Sequence, residues 1–141
     1  MTHRVRVTRA GCLAAILVIG CSSAKPNREE LSKEEQAILN VAQAYRDAAD
    51  ALRRGPNSEQ EIKPYLKKYG DPDQLLVSPG DGQPYQFTWG VIPARPAKSA
   101  VGQRFLVYEK TGKDGKRYAV DIMLKVHHVS DSELANSQGP K

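Results

Sequence analysis

The sequence is poor in the residues that build metal, redox and disulfide-bonded sites. Its 141 residues include two cysteines and three histidines, and neither type recurs at the spacing of a known zinc-ligand pattern. No apolar run reaches the roughly 20 residues that a transmembrane helix needs. The chain is 40% hydrophobic and 26% charged, which is typical of one ordinary globular domain and not of a collagen-like or disordered chain.

Acidic residues are absent from positions 1–20, which hold three arginines. The whole chain has 21 basic and 16 acidic residues and a formal charge of +5. Without those three arginines, 18 basic residues face 16 acidic ones, so the excess charge belongs mainly to this first segment. The remaining basic residues form local pairs such as Arg53-Arg54 and Lys67-Lys68 instead of a stripe, and we therefore expect no nucleic-acid partner.

Residues 1–20 have the organisation of a secretory signal peptide. A basic head precedes an apolar run at residues 10–19, and Gly20 supplies a small residue at the cleavage point before Cys21. The apolar run is about half as long as a membrane-spanning helix. We therefore expect residues 1–20 to be removed together with Cys12, which leaves Cys21 without a disulfide partner.

The four residues Val18-Ile19-Gly20-Cys21 resemble the lipobox of bacterial lipoproteins. The resemblance implies that diacylglycerol is attached to the sulfur of Cys21, that the chain is cleaved between Gly20 and Cys21, and that the new amino terminus is acylated. It predicts a protein held in the cell envelope by lipid on Cys21, on the periplasmic side. Ser22 resembles the pattern of lipoproteins sent to the outer membrane, which we favour over the inner membrane.

The rest of the chain divides into three parts. Residues 21–31 contain proline, small and charged residues and are predicted to be a flexible tether. Residues 32–135 are predicted to form a single domain, and residues 136–141 a disordered tail. Helical patterns precede strand patterns here instead of alternating with them, which predicts an α+β fold. We expect one amphipathic N-terminal helix packed on a small antiparallel sheet, with a second short helix.

The first helix begins with a capping box at Ser32 and Glu35 and is expected to end near Arg54, before a Gly-Pro pair. Apolar residues recur at steps of three and four, which predicts one stripe packed on the sheet. The residues expected in that contact include Ile38, Val41, Tyr45 and Leu52. A second capping-box pattern starts a shorter helix at Ser58, and Pro64 inside it predicts a kink or a break.

Alternating and apolar segments then predict strands separated by turns. The predicted strands cover residues 85–89, 105–109, 118–122 and 126–129, and a last helical turn covers residues 131–134. Asp114-Gly115 is the strongest turn signal in the chain.

The segment from Tyr118 to Val129 leaves two alternatives open. Its even positions alternate cleanly, so the pattern permits one long strand, but strands cluster near five or six residues. Met123-Leu124 are poor turn formers. The resemblance to small bacterial proteins described in the next paragraph nevertheless implies a tight turn near residues 122–125. We therefore predict a hairpin that pairs residues 118–122 with residues 126–129 and leaves Met123 or Leu124 exposed at its tip.

The segments SPGDGQPYQFTWG, FLVYE, GKRYAVD and VSDSEL are similar to those of uncharacterised small secreted or lipid-anchored bacterial proteins. The heads of those proteins resemble the globular region of type II secretion pseudopilins, which lays one helix across a small antiparallel sheet. The residues that match the segment opening the pseudopilin sheet are Asp81, Gly82, Pro84, Tyr85 and Phe87. A lipobox and a charged helix stand where pseudopilins have their long hydrophobic helix. Some pseudopilins bind calcium through sheet loops, and Asp114 and Asp121 would be the nearest, weak candidates.

Residues for catalysis or metal binding form no recognisable set. Neighbouring His127 and His128 point to opposite faces of a strand, so they cannot easily share a metal ion. No G-x-S-x-G sequence marks a nucleophile, and the glycines of residues 80–82 lack the Lys-Ser/Thr of a phosphate loop. We therefore expect no catalytic residue, no metal site, no cofactor and no small-molecule substrate.

The function favoured at this point is a non-catalytic binding or structural module of the envelope, with a partner protein or a wall polymer as ligand. One alternative is a small hydrolase acting on wall or carbohydrate polymers, and another is an accessory pseudopilin-like secretion component. A pocket with two convergent carboxylates in the folded protein would favour the hydrolase.

Overall fold

A computed structural model describes residues 30–93 and 104–137. The predicted signal peptide, Gly20, Cys21 and almost all of the tether lie outside these residues. The elements in chain order are α1 (Lys33–Leu52), α2 (Glu59–Leu66), α3 (Pro72–Leu75), β1 (Gln86–Phe87), β2 (Phe105–Tyr108), β3 (Lys116–Asp121), β4 (Val126–Ser130) and α4 (Asp131–Ser137). Within the described ranges, no helix is both long and apolar enough to cross a membrane.

Helix α1 begins at the predicted capping box. The Ser32 hydroxyl accepts a hydrogen bond from the Glu35 amide at 3.1 Å, and the Glu35 carboxylate accepts one from the Ser32 amide at 2.8 Å. The helix buries Ile38, Val41 and Tyr45 completely, as predicted. These reciprocal bonds satisfy two of the amides that a helix start leaves free, so the start position is fixed by local sequence.

The prediction for Leu52 was wrong. This side chain is 37% exposed, because α1 ends at Leu52 and the chain turns away through Arg53, whose φ of 57° is left-handed. The helix therefore ends short of the Gly-Pro pair that was expected to stop it. The buried residues of α1 end at Ala49.

Helix α2 excludes the break considered at Pro64 and the side-chain cap predicted for Ser58. It runs without a break through Pro64, whose missing amide costs one hydrogen bond in a helix of eight residues. Ser58 precedes the helix but makes no side-chain cap. The Glu61 carboxylate instead accepts the Asn57 amide at 2.9 Å and pairs with the Arg54 guanidinium at 2.6 Å. Burial of Ile62 and Leu66 holds α2 against the core.

The sheet has four antiparallel strands in the order β1-β2-β3-β4, and the predicted α+β class is confirmed. Strand β1 is only two residues long, shorter than the predicted strand of residues 85–89. Strands β3 and β4 form the predicted hairpin, with Val120 opposite Val126 and Arg117 opposite Val129. The single long strand from Tyr118 to Val129 is therefore excluded, and Met123 is 44% exposed at the tip.

The two faces of the sheet have different cores. The face toward α1 carries the larger core, which includes Leu106, Val107 and Val120. The opposite face carries a smaller cluster, closed by Leu134 of α4. Its other buried members are Phe105, Ala119 and Val129.

Tyr45 connects α1 to the segment that follows β1. Its hydroxyl oxygen lies 3.0 Å from the carbonyl oxygens of both Thr88 and Val91. Burial raises the pKa of Tyr45 to about 12, against a smaller opposing effect of the hydrogen bond to Val91. The rings of Phe87 and Trp89 stack at 4.5 Å and continue this aromatic cluster.

Candidate binding cleft

A buried carboxylate lies where β2 meets the turn that precedes β1. Glu109 directly follows β2 and is 3% exposed, and Ser78 beside it is 1% exposed. The Ser78 hydroxyl donates to Oε1 of Glu109 at 2.5 Å, and the Tyr118 amide donates to Oε2 at 2.9 Å. A buried carboxylate is stable only when it is hydrogen-bonded, so these two donors hold Glu109 in one fixed orientation.

Tyr85 adds a second buried polar group next to this pair. The residue is 3% exposed, and its hydroxyl lies close to the Ser78 hydroxyl and the Glu109 carboxylate. Burial raises the pKa of Tyr85 well above its ordinary value, the nearby Ser78 hydroxyl lowers it, and the negative charge of Glu109 raises it further.

The turn at residues 78–83 fits closely over Glu109. A Cβ added to Gly80 would lie 2.6 Å from Oε1 of Glu109, so a side chain at this position would push into the carboxylate. The Gly80 amide also donates to the Ser78 hydroxyl at 3.0 Å. Because Gly80 has no side chain, the turn can lie close to the buried Ser78 and Glu109.

Asp81 fixes the same turn to the loop between β2 and β3. Its carboxylate accepts the amides of Thr111 at 2.8 Å and Gly112 at 3.0 Å, and also that of Gln83 at 2.9 Å. Burial raises the pKa of Asp81, but these backbone hydrogen bonds outweigh it and hold the pKa below its ordinary value. The turn at residues 78–83 and the loop between β2 and β3 are thus held together as one unit.

These elements enclose a cleft of about 450 Å³, within the usual size range of ligand sites. The rings of Tyr118 and His128 stack at 4.7 Å with an interplanar angle of 19°. They face each other across β3 and β4, where Tyr118 is opposite His128. The cleft is lined by Glu34, Pro79, Gly80, Glu109, Lys113, Asp114, Lys116, Tyr118 and His128.

A larger depression of about 760 Å³ lies on the far side of Pro79, between α1 and the α2–α3 corner. The charged side chains that line it, Lys33, Asp71 and Asp73, are all exposed. The buried Ser78 also lies in its lining, but among its lining residues there is no buried carboxylate and no stacked ring pair. The cleft lined by Glu109, Tyr118 and His128 is therefore the better candidate for a specific site.

The histidine pair divides as the strand pattern predicted. His127 lies on the sheet face away from α1, where Nε2 is 2.8 Å from Oδ2 of Asp121 and the ring contacts Phe105 edge-on at a centroid distance of 5.6 Å. His128 lies on the other face and lines the cleft. The two rings have different neighbours and do not converge on one site.

The two aspartates considered for calcium are also separated. Asp114 lines the cleft, whereas Asp121 is buried at the β3–β4 turn and engaged with His127. Among the residues that the structure describes, no three His, Cys, Asp or Glu side chains converge to hold a metal ion. The pair therefore does not form the site that the pseudopilin resemblance suggested.

The most distinctive residues of the cleft were not found from the sequence. Ser78 and Glu109 are 31 positions apart, and each has an ordinary local role, as a turn residue and as the charged end of a strand. The one available signal was an acidic residue placed directly after the apolar run FLVY.

Comparison with known proteins gives no relative: no family model, curated protein or solved structure matches this chain.

Proposed function

We propose that this chain is a lipid-anchored protein of the bacterial cell envelope, held on the periplasmic side by acyl chains on Cys21. The observation that carries the proposal is the order of basic head, apolar run and Val18-Ile19-Gly20-Cys21. Each buried methylene contributes ~0.8 kcal/mol, and one chain anchors only marginally. The three chains of a mature bacterial lipoprotein would make the attachment effectively permanent. Ser22 supports the outer membrane as the destination.

Mass spectrometry of the protein from membrane fractions tests this anchor. We expect the mature amino-terminal peptide to start at Cys21 and to carry the mass of the lipid. Cys21→Ser should give an unlipidated protein, whereas Cys12→Ser, the matched control, should be processed normally because Cys12 leaves with the signal peptide. An unmodified Cys21 in the native membrane fraction would overturn the proposal.

We further propose that the domain acts as a binding module without catalysis of its own. Both oxygens of Glu109 already accept hydrogen bonds, and the Ser78 hydroxyl donates to this carboxylate and not to a histidine. A serine nucleophile needs a base that is itself oriented by a third group. The arrangement favours a fixed polar surface for recognition over a reactive centre.

One observation favours a small envelope hydrolase as a second candidate. Glu34 and Glu109 both line the cleft, and a carboxylate pair is what glycoside hydrolysis uses. The test is the release of soluble sugars from purified cell-wall sacculi. A hydrolase would lose this activity in Glu34→Gln, while a binding module would release no sugar in either form.

An accessory role in a pseudopilin-like secretion assembly is the remaining alternative. Its support is the packing of one long helix on an antiparallel sheet, an arrangement that fits many functions. Crosslinking in intact cells, followed by identification of the captured proteins, tests it directly. Capture of secretion-system subunits by the native protein would support this role over wall binding.

A further inference from the structure

We propose that the cleft binds an uncharged sugar chain, such as the glycan part of an envelope polymer. This inference rests on the proposed envelope location and names the ligand class of the binding module. Three features of the cleft carry it: the balance of its charges, its stacked ring pair and its unused hydrogen-bonding capacity.

The charges around the cleft have both signs. Glu34, Glu109 and Asp114 supply carboxylates, while Lys113 and Lys116 supply ammonium groups. A polyanion would meet the carboxylates and a polycation the ammonium groups, and like charges brought together cost free energy. A neutral polyol avoids both penalties, because its hydroxyls can donate to carboxylates and accept from lysines.

The Tyr118–His128 pair offers a flat apolar surface inside this polar frame. His128 is exposed while Tyr118 is half-buried against the main core, so the platform is anchored on one side and open on the other. Aromatic faces carry partial negative charge. The C–H groups on the faces of a pyranose ring are polarised in the opposite sense, so a sugar ring can lie on such a platform.

The buried Glu109 carboxylate, which lines the cleft, retains hydrogen-bonding capacity for a ligand. Each carboxylate oxygen has two lone pairs, and each oxygen of Glu109 accepts one hydrogen bond from the chain. The Ser78 hydroxyl and the Tyr118 amide already hold Glu109 in one orientation. A sugar hydroxyl that binds this carboxylate therefore loses little free energy to ordering the side chain.

Nucleotides also stack on aromatic rings, but the cleft argues against them. Binding of a phosphate backbone depends on clustered cations, and the three carboxylates of this cleft outnumber its two lysines. An uncharged glycan remains the class that suits the stacked rings, the mixed charges and the free lone pairs of Glu109 together.

The test uses the mature lipidated protein purified in detergent. Chitotetraose, a neutral tetramer of N-acetylglucosamine, is titrated by calorimetry, and purified sacculi are used in a co-sedimentation assay with and without chitotetraose as competitor. The variants are His128→Ala, which removes the exposed ring, and Glu34→Gln, which removes a lining carboxylate. Lys125→Ala, an exposed change at the β3–β4 turn outside the cleft, is the matched control.

We expect chitotetraose to bind and to displace the protein from sacculi. Loss of the exposed ring should weaken the affinity roughly tenfold, Glu34→Gln should weaken it measurably, and Lys125→Ala should leave it unchanged. Thermal unfolding of each variant checks that the fold is intact.

Two results would overturn the inference. One is the absence of chitotetraose binding to the native protein. The other is sacculus binding that chitotetraose does not displace and that 0.5 M salt abolishes, which would identify an ionic or protein partner instead. Mass spectrometry of Cys21 in the same preparation separates these failures from failure of the proposed anchor, because lipidation does not depend on the cleft.

Discussion

The β2–β3 and β3–β4 connections of the sheet accommodate left-handed backbone by different means. The β2–β3 connection contains Asp114 and Gly115 at φ values of 54° and 74°, residues suited to left-handed backbone. The β3–β4 connection has no glycine, and Leu124 adopts a φ of 61°. A non-glycine residue there costs about 1–2 kcal/mol, so the second turn needs stabilisation that its local sequence does not supply.

Asp121 and the core provide that stabilisation. Oδ1 of Asp121 accepts the amides of Met123 at 2.8 Å and Lys125 at 3.0 Å, while Leu124 packs against the main core. The comparison shows that a turn can be set by residues with the right conformational preference or by a buried acceptor that holds unsuitable residues in place.

The largest expected effect comes from two glycines in the β2–β3 connection. A Cβ at Gly112 would lie 2.2 Å from the carbonyl oxygen of Lys116, whereas a Cβ at Gly115 would meet nothing within 4 Å. Both positions have positive φ. We expect Gly112→Ala to lower the free energy of unfolding by more than about 3 kcal/mol, and Gly115→Ala by about 1 kcal/mol. Urea denaturation measures both, and equal losses would mean that the close contact at Gly112 is not real.

Removing the acceptor of the β3–β4 turn should have the next largest effect. Asp121→Ala leaves the amides of Met123 and Lys125 unpaired and breaks the contact with His127, and we expect a loss of about 2–3 kcal/mol in unfolding free energy. Asp121→Asn, the matched control, keeps an oxygen acceptor and should cost less. If the two variants are equally destabilised, the charge facing His127 matters more than the turn.

Low pH should reduce the stability that Asp81 gives to the β2–β3 connection. Its pKa is lowered in the folded state because backbone hydrogen bonds outweigh the effect of burial. This contribution is fully present above the ordinary aspartate pKa of about 3.9 and is lost as the pH falls through the lower, folded-state value. We expect the unfolding free energy of Asp81→Asn to fall less steeply than that of the native protein below about pH 4.

Other carboxylates also contribute to the loss of stability at low pH. The pKa of Glu61 is lowered by its hydrogen bonds with Arg54, and that of Glu133 by the Ser130 amide. Part of the acid sensitivity should therefore persist in Asp81→Asn. An unchanged slope in this variant would contradict the role given to the Asp81 hydrogen bonds.

The smallest effect is expected at the exposed tip of the second hairpin. Met123 is 44% exposed, and its part in the turn is made through its backbone amide. Met123→Ser should change the unfolding free energy by no more than about 0.5 kcal/mol. A larger loss would show that the side chain itself holds the turn.

The sequence predicted the features whose causes are local. The Ser32–Glu35 capping box, the apolar stripe through Ile38, Val41 and Tyr45, and the segregation of helices from strands depend on spacing within a few residues. The hairpin of β3 and β4 was predicted from the family resemblance together with typical strand length, although its turn residues argued against it.

Features set by distant residues could not be predicted in the same way. Leu52 continues the helical period but lies where α1 has ended. Pro64 is tolerated because Ile62 and Leu66 are held by tertiary packing, and Glu61 replaces Ser58 as the acceptor at the start of α2. Ser78 and Glu109 form a hydrogen bond although 31 positions separate them in the sequence. No local sequence pattern indicates a contact between residues so far apart.

The hydroxyl of Tyr45 has a consequence for how quickly the protein folds. It joins α1 to carbonyl groups 43 and 46 residues further along the chain, whereas the β3–β4 hairpin closes only a short loop. Longer loops cost more entropy to close, and contacts between distant residues slow folding. We expect the hairpin to form early and the aromatic cluster around Tyr45 to form late, so the docking of α1 sets the time in which a newly made chain buries its apolar surface.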